Sequence, residues 1–536
     1  MNKMRNRKYP LYNNTTSISS LSDMLIQKAE TVPEDVAFQF RKGKDQIESK
    51  TYGDVYREVK KAAACIERLY GKKQHIAVIG ENSYEWLIAF FAILGSGNIA
   101  VPIDKELPPN EIEWLIHKAD VTAVFISKTY SDHVENIEGL QVMTLKGLQN
   151  ASAEENEAYT LYQPERDEPA CIFFTSGTSG RSKGVLLTHG NLASEITETC
   201  KMFDPGKDST LLAVLPFHHT FGLIVGIFMT YHYHVRIFLN KSLKRVTDDL
   251  RLSKPDVMML VPMFIEVFYK QINEGIKKSG RTEAVKKGIR FSNLLLKIGI
   301  DQRRRIFREI LDNFGGNLKY IICGGAHLDP FYVKAFRNFG IEILNGYGTT
   351  ECSPCVAINR NFYKRDGSIG PVVTGTQVRT SPEGEIQFKG PVTMAGYYND
   401  PEATEEVFDD GWYSTGDLGY VDKDGFIFLT GRKKNLIILS NGENISPEEL
   451  ENDFRSDPGV NEVLVYEYQK KIVAEIFPEE EFMGNTEYFN DLMKKVNEGR
   501  PAYKQVVRVK LRDQDFIRNT SRKIVRYKNI PQEDAK

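Results

Sequence analysis

The chain runs to 536 residues, 41% of them hydrophobic and 26% charged, with 70 Lys and Arg against 72 Asp and Glu. Its length exceeds the size at which a single hydrophobic core stops growing, so more than one domain is expected. The near-balanced charge excludes a whole-surface attraction to nucleic acid, and the composition excludes disordered, collagen-like and disulfide-stapled classes.

In chain order, the basic start MNKMRNRKYP is followed by no apolar run, so it is not read as a secretory leader. His75–Ile79 predicts a strand, Ser83–Leu94 and Asn110–Ala119 predict helices, and Val121–Ser127 predicts another strand. Short β-branched runs recur at Val235–Leu239, Val257–Val261, Tyr320–Ile322 and Ile341–Leu344, between helical segments. Such alternation predicts an α/β architecture with mostly parallel sheets. Leu211 to Thr230 is long enough to span a bilayer but contains Pro216, His218, His219 and Gly222. Two histidines in lipid would be expensive, so a buried helix and pocket wall is expected there, with peripheral membrane contact left open. From Ser368 short strands crowd together, at Glu385–Phe388, Tyr420–Val421 and Phe426–Leu429, predicting a small antiparallel barrel or sheet. After Gly431 a strand at Leu436–Leu439, a helix at Pro447–Arg455 and a hairpin of Glu462–Tyr468 with Lys471–Phe477 predict a small α+β domain. The six cysteines read as buried thiols in a reducing compartment, the cytoplasm. Cys352 and Cys355 are spaced as zinc ligands, but no second such pair completes a site, so two packing residues are expected.

The sharpest local pattern is Thr175-Ser-Gly-Thr-Ser-Gly-Arg-Ser-Lys183-Gly184, after the apolar run Cys171–Phe174. Glycines let backbone N–H groups approach a ligand, and hydroxyls with a lysine add donors, a composition suited to phosphate oxygens. It is not a Walker A loop, because Ser182 and not glycine precedes Lys183. Further on, Asn345-Gly-Tyr-Gly-Thr-Thr-Glu351 offers an aromatic face, two hydroxyls and a carboxylate within a few residues. Tyr347 could stack on a purine, Thr349 and Thr350 could hold a phosphate, and Glu351 could ligate Mg²⁺ beside substrate phosphates.

These motifs resemble those of the adenylate-forming superfamily, which includes acyl- and aryl-CoA synthetases, amino-acid adenylation domains and firefly luciferase. The resemblance runs from about Thr51 to Arg526, and the texture is most similar to bacterial long- and medium-chain fatty acid–CoA ligases. It implies ATP phosphates on Thr175, Ser176, Gly177, Thr178, Ser179, Gly180 and Lys183. It implies Asp417, in Trp412-Tyr-Ser-Thr-Gly-Asp, and Arg432 on the nucleotide ribose, and Mg²⁺ on Glu351. Leu215-Pro-Phe-His-His219-Thr-Phe-Gly222 is similar to the segment lining the acyl pocket, so His219, Phe221, Phe264, Gly324, Gly325 and Ala326 are acyl-pocket candidates. Asn519-Thr-Ser-Arg-Lys523-Ile-Val-Arg526 resembles the motif carrying the catalytic lysine, here Lys523, with Arg522 where glycine is usual. Gly442 falls on the CoA path and Lys434 at the hinge position.

The implied organisation is a large ATP- and acyl-binding domain over residues 1–430, built of α/β subdomains plus a small β-barrel. A hinge at 431–434 and a mobile α+β lid at 435–536 complete it. The implied reaction joins a carboxylic acid to ATP as an acyl-adenylate, releases pyrophosphate, then passes the acyl group to CoA. Thr220 stands where amino-acid-activating relatives carry an aspartate, so an apolar acid is expected, a fatty acid first and an aryl acid second. A carrier protein acting in trans is the alternative acceptor, since no carrier domain fits after Arg526. A non-catalytic nucleotide sensor is the remote alternative. From Pro501 to Lys528 nine Lys or Arg face two Asp, which predicts a solvated face or a positive cover for phosphates.

Overall fold

Helix and strand boundaries follow from local chemistry that can be named residue by residue. The computed structural model describes residues 10–12, 15–43, 46–155, 158–175, 182–438, 444–518 and 524–531. Thr51 and Asp54 start the helix Tyr52–Tyr70 with a reciprocal capping box: Thr51 Oγ1 accepts from the Asp54 N–H, and Asp54 Oδ2 from the Thr51 N–H. Ser83 caps the helix Tyr84–Gly95 in the same sense, accepting from the Trp86 N–H at 3.2 Å.

The chain divides into two compact units, Met1–Val378 with Phe388–Tyr413, and Arg379–Gln387 with Ser414–Lys536. The first unit holds two large sheets. One contains the strands Val36–Arg41, Ile47–Thr51, Thr210–Ala213, Arg236–Leu239, Val257–Leu260, Tyr320–Cys323, Glu342–Gly348 and Cys355–Ile358. Its pairings are parallel except for the two ends, where Ile47–Thr51 and Cys355–Ile358 run antiparallel to their neighbours. The other contains His75–Ile79, Ile99–Ile103, Val121–Ile126, Gln141–Thr144, Pro169–Thr175, Lys183–Thr188 and Gly396–Tyr397. Here the antiparallel members are the Pro169–Thr175/Lys183–Thr188 hairpin and the short strand Gly396–Tyr397 beside it.

Between the sheets lie two buried helices. Tyr84–Gly95 packs on strands of the second sheet, and Phe90 and Phe91 meet Phe228 of the segment Phe221–Met229 at ring distances of 5.5 and 5.2 Å. That segment is the apolar stretch read as a pocket wall, and it is wound as a π-helix, a rare form concentrated at functional sites. Gly222 is obligatory in it, since a Cβ there would lie 2.2 Å from the Pro216 carbonyl oxygen. A small apolar cavity is lined by Gly222, Gly226, Leu211, Leu215 and Met259. No helix among the described residues is long and apolar enough to cross a membrane.

The strands Trp412–Val421 and Phe426–Arg432 form the expected hairpin, which lies in the second unit from Ser414 onward, with the Gly425 N–H bonded to the Asp422 carbonyl. Beside them run Glu385–Lys389 and Gln377–Thr380, and the sheet ends there. The expected barrel is therefore an open sheet. Strands of four and five residues beside one of ten leave unequal ladders, which cannot supply the stagger that closure needs. The C-terminal part is the predicted α+β arrangement: helices Pro447–Arg455 and Thr486–Asn497 over a sheet of Val460–Tyr468, Lys471–Pro478 and Arg508–Leu511. Val463, Val465, Ile472, Ile476, Phe454 and Phe489 form its core.

Candidate active site

The glycine-rich motif joins two antiparallel strands, with Thr175 opposite Lys183 and Phe174 opposite Gly184. Ser176, Gly177, Thr178, Ser179 and Gly180 lie outside the described residues. Lys183 stands at the start of the returning strand, and that strand pairs with Gly396–Tyr397, placing Tyr397 opposite Val185. The Lys183 ammonium consequently lies 4.7 Å from the centre of the Tyr397 ring, a cation–π distance. The Tyr397 hydroxyl donates to Glu351 Oε1 at 2.9 Å. Burial, reinforced by the Glu351 carboxylate, pushes the Tyr397 phenol well up, so it keeps its proton and remains a donor. Two groups read separately from sequence, the loop lysine and the metal carboxylate, are thus brought to one side chain that sequence reasoning missed.

Glu351 belongs to the short turn Thr350–Cys352 that follows the strand Glu342–Gly348. Its carbonyl accepts from the Met394 N–H at 2.8 Å, which ties the turn to the segment preceding Tyr397. Gly348 permits the turn, because a Cβ there would fall 1.5 Å from the Pro354 carbonyl oxygen. Tyr347 lies 6.1 Å from the Phe388 ring at 32°, in a tilted aromatic contact. Thr349 Oγ1 is buried beside the Tyr413 hydroxyl and the Cys352 thiol. Cys352 and Cys355 are buried free thiols, both pushed up by burial, as packing residues are.

No group of three or more His, Cys, Asp or Glu gathers among the described residues as a metal cage. Glu351 offers one carboxylate steadied by one tyrosine. A single carboxylate beside a phosphate site is a donor set that fits Mg²⁺ arriving on a triphosphate.

The acyl-pocket candidates divide. Phe221 lies against Gly324, where a Cβ would come within 3.3 Å of its ring, and Val261 lies against Gly325, at φ +84°. Phe264 lies in the first turn of the helix Pro262–Lys278 and stands 6.5 Å from Phe268. Gly324 is buried, whereas Gly325 and Ala326 are exposed. His219 is paired with His218, rings 4.3 Å apart, and His218 Nε2 lies 3.6 Å from Asp104 Oδ2. Burial, with His219 and Lys105 nearby, holds the His218 imidazole far below its usual range, so it is neutral at pH 7. The His218–Asp104 contact was not legible from sequence, because the two residues follow strands of different sheets.

In the second unit Asp417 and Arg432 are cross-strand partners, with Arg432 Nε 2.6 Å from Asp417 Oδ1. Asp417 is nearly buried and Arg432 half exposed. Lys434 follows in the turn Lys433–Asn435. Burial, with Arg432 adding repulsion, lowers its ammonium from the ordinary lysine range. The neighbouring residues are fastened: Lys433 Nζ lies 3.0 Å from Glu385, and the Asn435 amide donates to Glu448. Gly431 admits no side chain, since a Cβ would meet Ser446 Oγ at 2.1 Å. Gly442 and Lys523 lie outside the described residues, the latter between Arg518 and Ile524, which form an antiparallel bridge. The basic tail is partly neutralised in its described part. Arg512 pairs with Glu475, Arg518 with Glu462 and Asp515, and Arg526 with Glu451.

Lys183 and Glu351 thus both contact Tyr397, beside the hairpin Pro169–Thr175/Lys183–Thr188. The model of the AMP-binding enzyme family matches residues 25–398, and the chain belongs to that family. It is an adenylate-forming ligase of the acid–thiol class. It is 30% identical to the long-chain-fatty-acid–CoA ligase FadD15 of Mycobacterium bovis, over 73% of this chain and 70% of that one. It is 26% identical to long-chain-fatty-acid–CoA ligase 6 of Mus musculus, over 77% of this chain and 67% of that one. Among solved structures, the ATP-bound chimera RpMatB-BxBclM B1 superposes with a TM-score of 0.78 at 25% identity, covering 96% of this chain and 98% of that one. The anthranilate CoA ligase AuaEII superposes at 0.79 with 18% identity, covering 97% of each chain, which is a likeness of fold.

Proposed function

We propose that this enzyme activates a fatty acid with ATP and transfers the acyl group to CoA, in the cytoplasm. The observation that carries the choice of acid is the apolar seat made by Phe221 on Gly324 and Val261 on Gly325. It stands beside a buried π-helix with no acidic residue to hold an ammonium group. The long-chain ligase relatives support the same reading.

In this reading the triphosphate lies along Thr175, Ser176, Gly177, Thr178, Ser179, Gly180 and Lys183, the adenine stacks on Tyr347, and Thr349 and Thr350 bind phosphate oxygen. Asp417 accepts from the ribose hydroxyls and Arg432 steadies it. Glu351, held by Tyr397, would ligate Mg²⁺, which when bound neutralises phosphate charge. The carboxylate oxygen of the acid attacks the α-phosphorus in line, the bond to the bridging oxygen breaks, and pyrophosphate leaves with the electron pair. Positioning and charge neutralisation do most of this work, and the Lys523 ammonium stabilises charge as it develops. The CoA thiol, having lost its proton, then attacks the acyl carbonyl, and AMP departs. Residues 1–430 form the large domain and 435–536 the lid. The hinge at 431–434, with Lys434, exchanges the two half-reactions and Gly442 borders the thiol's path.

The test is a panel of carboxylic acids scored by pyrophosphate release, with CoA, with a carrier-protein thiol, and with neither. Release dependent on medium- or long-chain fatty acids, with thioester forming on CoA, is the expected result. Preference for aryl acids would overturn the choice of acid, and thioester only on the carrier would overturn the acceptor. Nucleotide binding without any release would mark a sensor.

A further inference from the structure

The helix Thr282–Lys297 has amphipathic spacing, yet only Ser292 on it is buried. Its packed side is thin: Gly288 faces Phe307 and Ile306, and the Asn293 amide donates to Asn338 at 3.2 Å. Its outer side carries Phe291 and Leu294, with Ile298 at its end; these are 57%, 61% and 67% exposed and lie three and four residues apart, hence on one stripe. Ile300, just beyond the helix, is exposed as well. Three adjacent exposed large apolar side chains on one stripe are not the scatter of an ordinary surface. Met263 and Val267 on the preceding helix Pro262–Lys278 are also exposed.

Charge selects what covers this stripe. Residues 270–297 contain eight Lys or Arg, among them Lys286, Lys287, Arg290 and Lys297, against Glu274 and Glu283. A second copy of the chain placed face to face would oppose two such basic clusters. An anionic bilayer would satisfy both features at once, with apolar side chains entering the acyl boundary and ammonium groups at the phosphates. We propose that the helix Thr282–Lys297 is a membrane-surface anchor that lies flat on anionic lipid. The assignment does not depend on which acid the enzyme activates.

The full chain should pellet with phosphatidylcholine vesicles containing about one-third phosphatidylglycerol, and remain in the supernatant with phosphatidylcholine alone or at high salt. Joint replacement Phe291→Ser, Leu294→Ser and Ile298→Ser, or Lys286→Glu, Lys287→Glu and Arg290→Glu, should each weaken vesicle binding about tenfold or more. Both variants should keep pyrophosphate release from a short water-soluble acid. A separate Leu294→Trp variant, at an exposed position, should shift its indole emission to shorter wavelength when anionic vesicles are added. Wild-type protein that ignores vesicles, binding untouched by both joint replacements, or a Leu294→Trp emission that does not move would overturn the proposal. So would the apolar replacement converting a dimer to a monomer in the ultracentrifuge, which would assign the stripe to a second copy.

Discussion

Tyr397 touches two charged groups of the first unit, through its hydroxyl to Glu351 and its ring to Lys183. Tyr397→Phe keeps the ring and removes the donor, so Glu351 loses its steadying partner. The expected effect is a rise of about tenfold in KM for magnesium–ATP, about 1.4 kcal/mol, within the range of a hydrogen bond to a charged group. Tyr397→Leu should cost more, because Lys183 loses its aromatic support too. Steady-state kinetics at varied Mg²⁺ decide it; equal KM in wild type and both variants would sink the role. Lys523→Ala should lower adenylation by about 10²–10³-fold, as loss of a preorganised charge does, while sparing thioester formation from a supplied acyl-adenylate. Equal loss of both half-reactions would remove Lys523 from its assigned step. Lys183 and Glu351 could be singled out in the sequence as candidates because charge beside glycine and hydroxyl groups is chemistry visible in one segment. Tyr397 was not, because its contacts depend on pairing with Val185, more than two hundred residues earlier.

At the scale of elements, several strands of the first unit could be read to within a residue or two, since a parallel strand buried on both faces is a bare apolar run. His75–Ile79 and Val257–Leu260 are cases in point. The edge strands, and others such as Ile99–Ile103 and Thr210–Ala213, were not read. The open sheet was harder: closure is a property of how ladders meet, and strand-by-strand texture does not contain it. Thr51, where the family resemblance begins, has a physical role in its capping box with Asp54. Thr51→Ala should therefore destabilise by about 1 kcal/mol, measurable by denaturant unfolding. Gly348 is less forgiving. Gly348→Ala forces a methyl into the Pro354 carbonyl and should cost several kcal/mol or abolish soluble protein. A Gly348→Ala variant that melts with the wild type would show that the turn can move aside.

Across the whole molecule the net charge of −2 conceals a basic C-terminal segment in which Arg512, Arg518 and Arg526 are engaged in ion pairs. It also conceals three buried histidines. Burial holds His189 and His232 down at about 4, and His218 well below its usual range. A lowered folded-state value means that the unfolded chain takes up protons first. Stability is full above about pH 6.5 and falls as pH drops towards the folded values, by about 1.4 kcal/mol per pH unit for each histidine. Thermal melts should therefore fall between pH 6.5 and 4.5, and His232→Gln should flatten that fall; a profile level across this window would contradict it. The sheets of the first unit carry a further consequence, for synthesis. One takes its strands from residues 36–51 and 210–358, the other from 75–188 and 396–397, so neither is a continuous stretch of chain. The ribosome must deliver residue 397 before the second sheet gains its last strand. At ordinary elongation rates the first strands wait roughly 15 to 65 s for their final neighbours. The apolar helix Tyr84–Gly95 waits a shorter time, until Met229 is made about 7 to 27 s later, for the Phe228 segment that will cover it, and over that gap it is a natural handhold for chaperones.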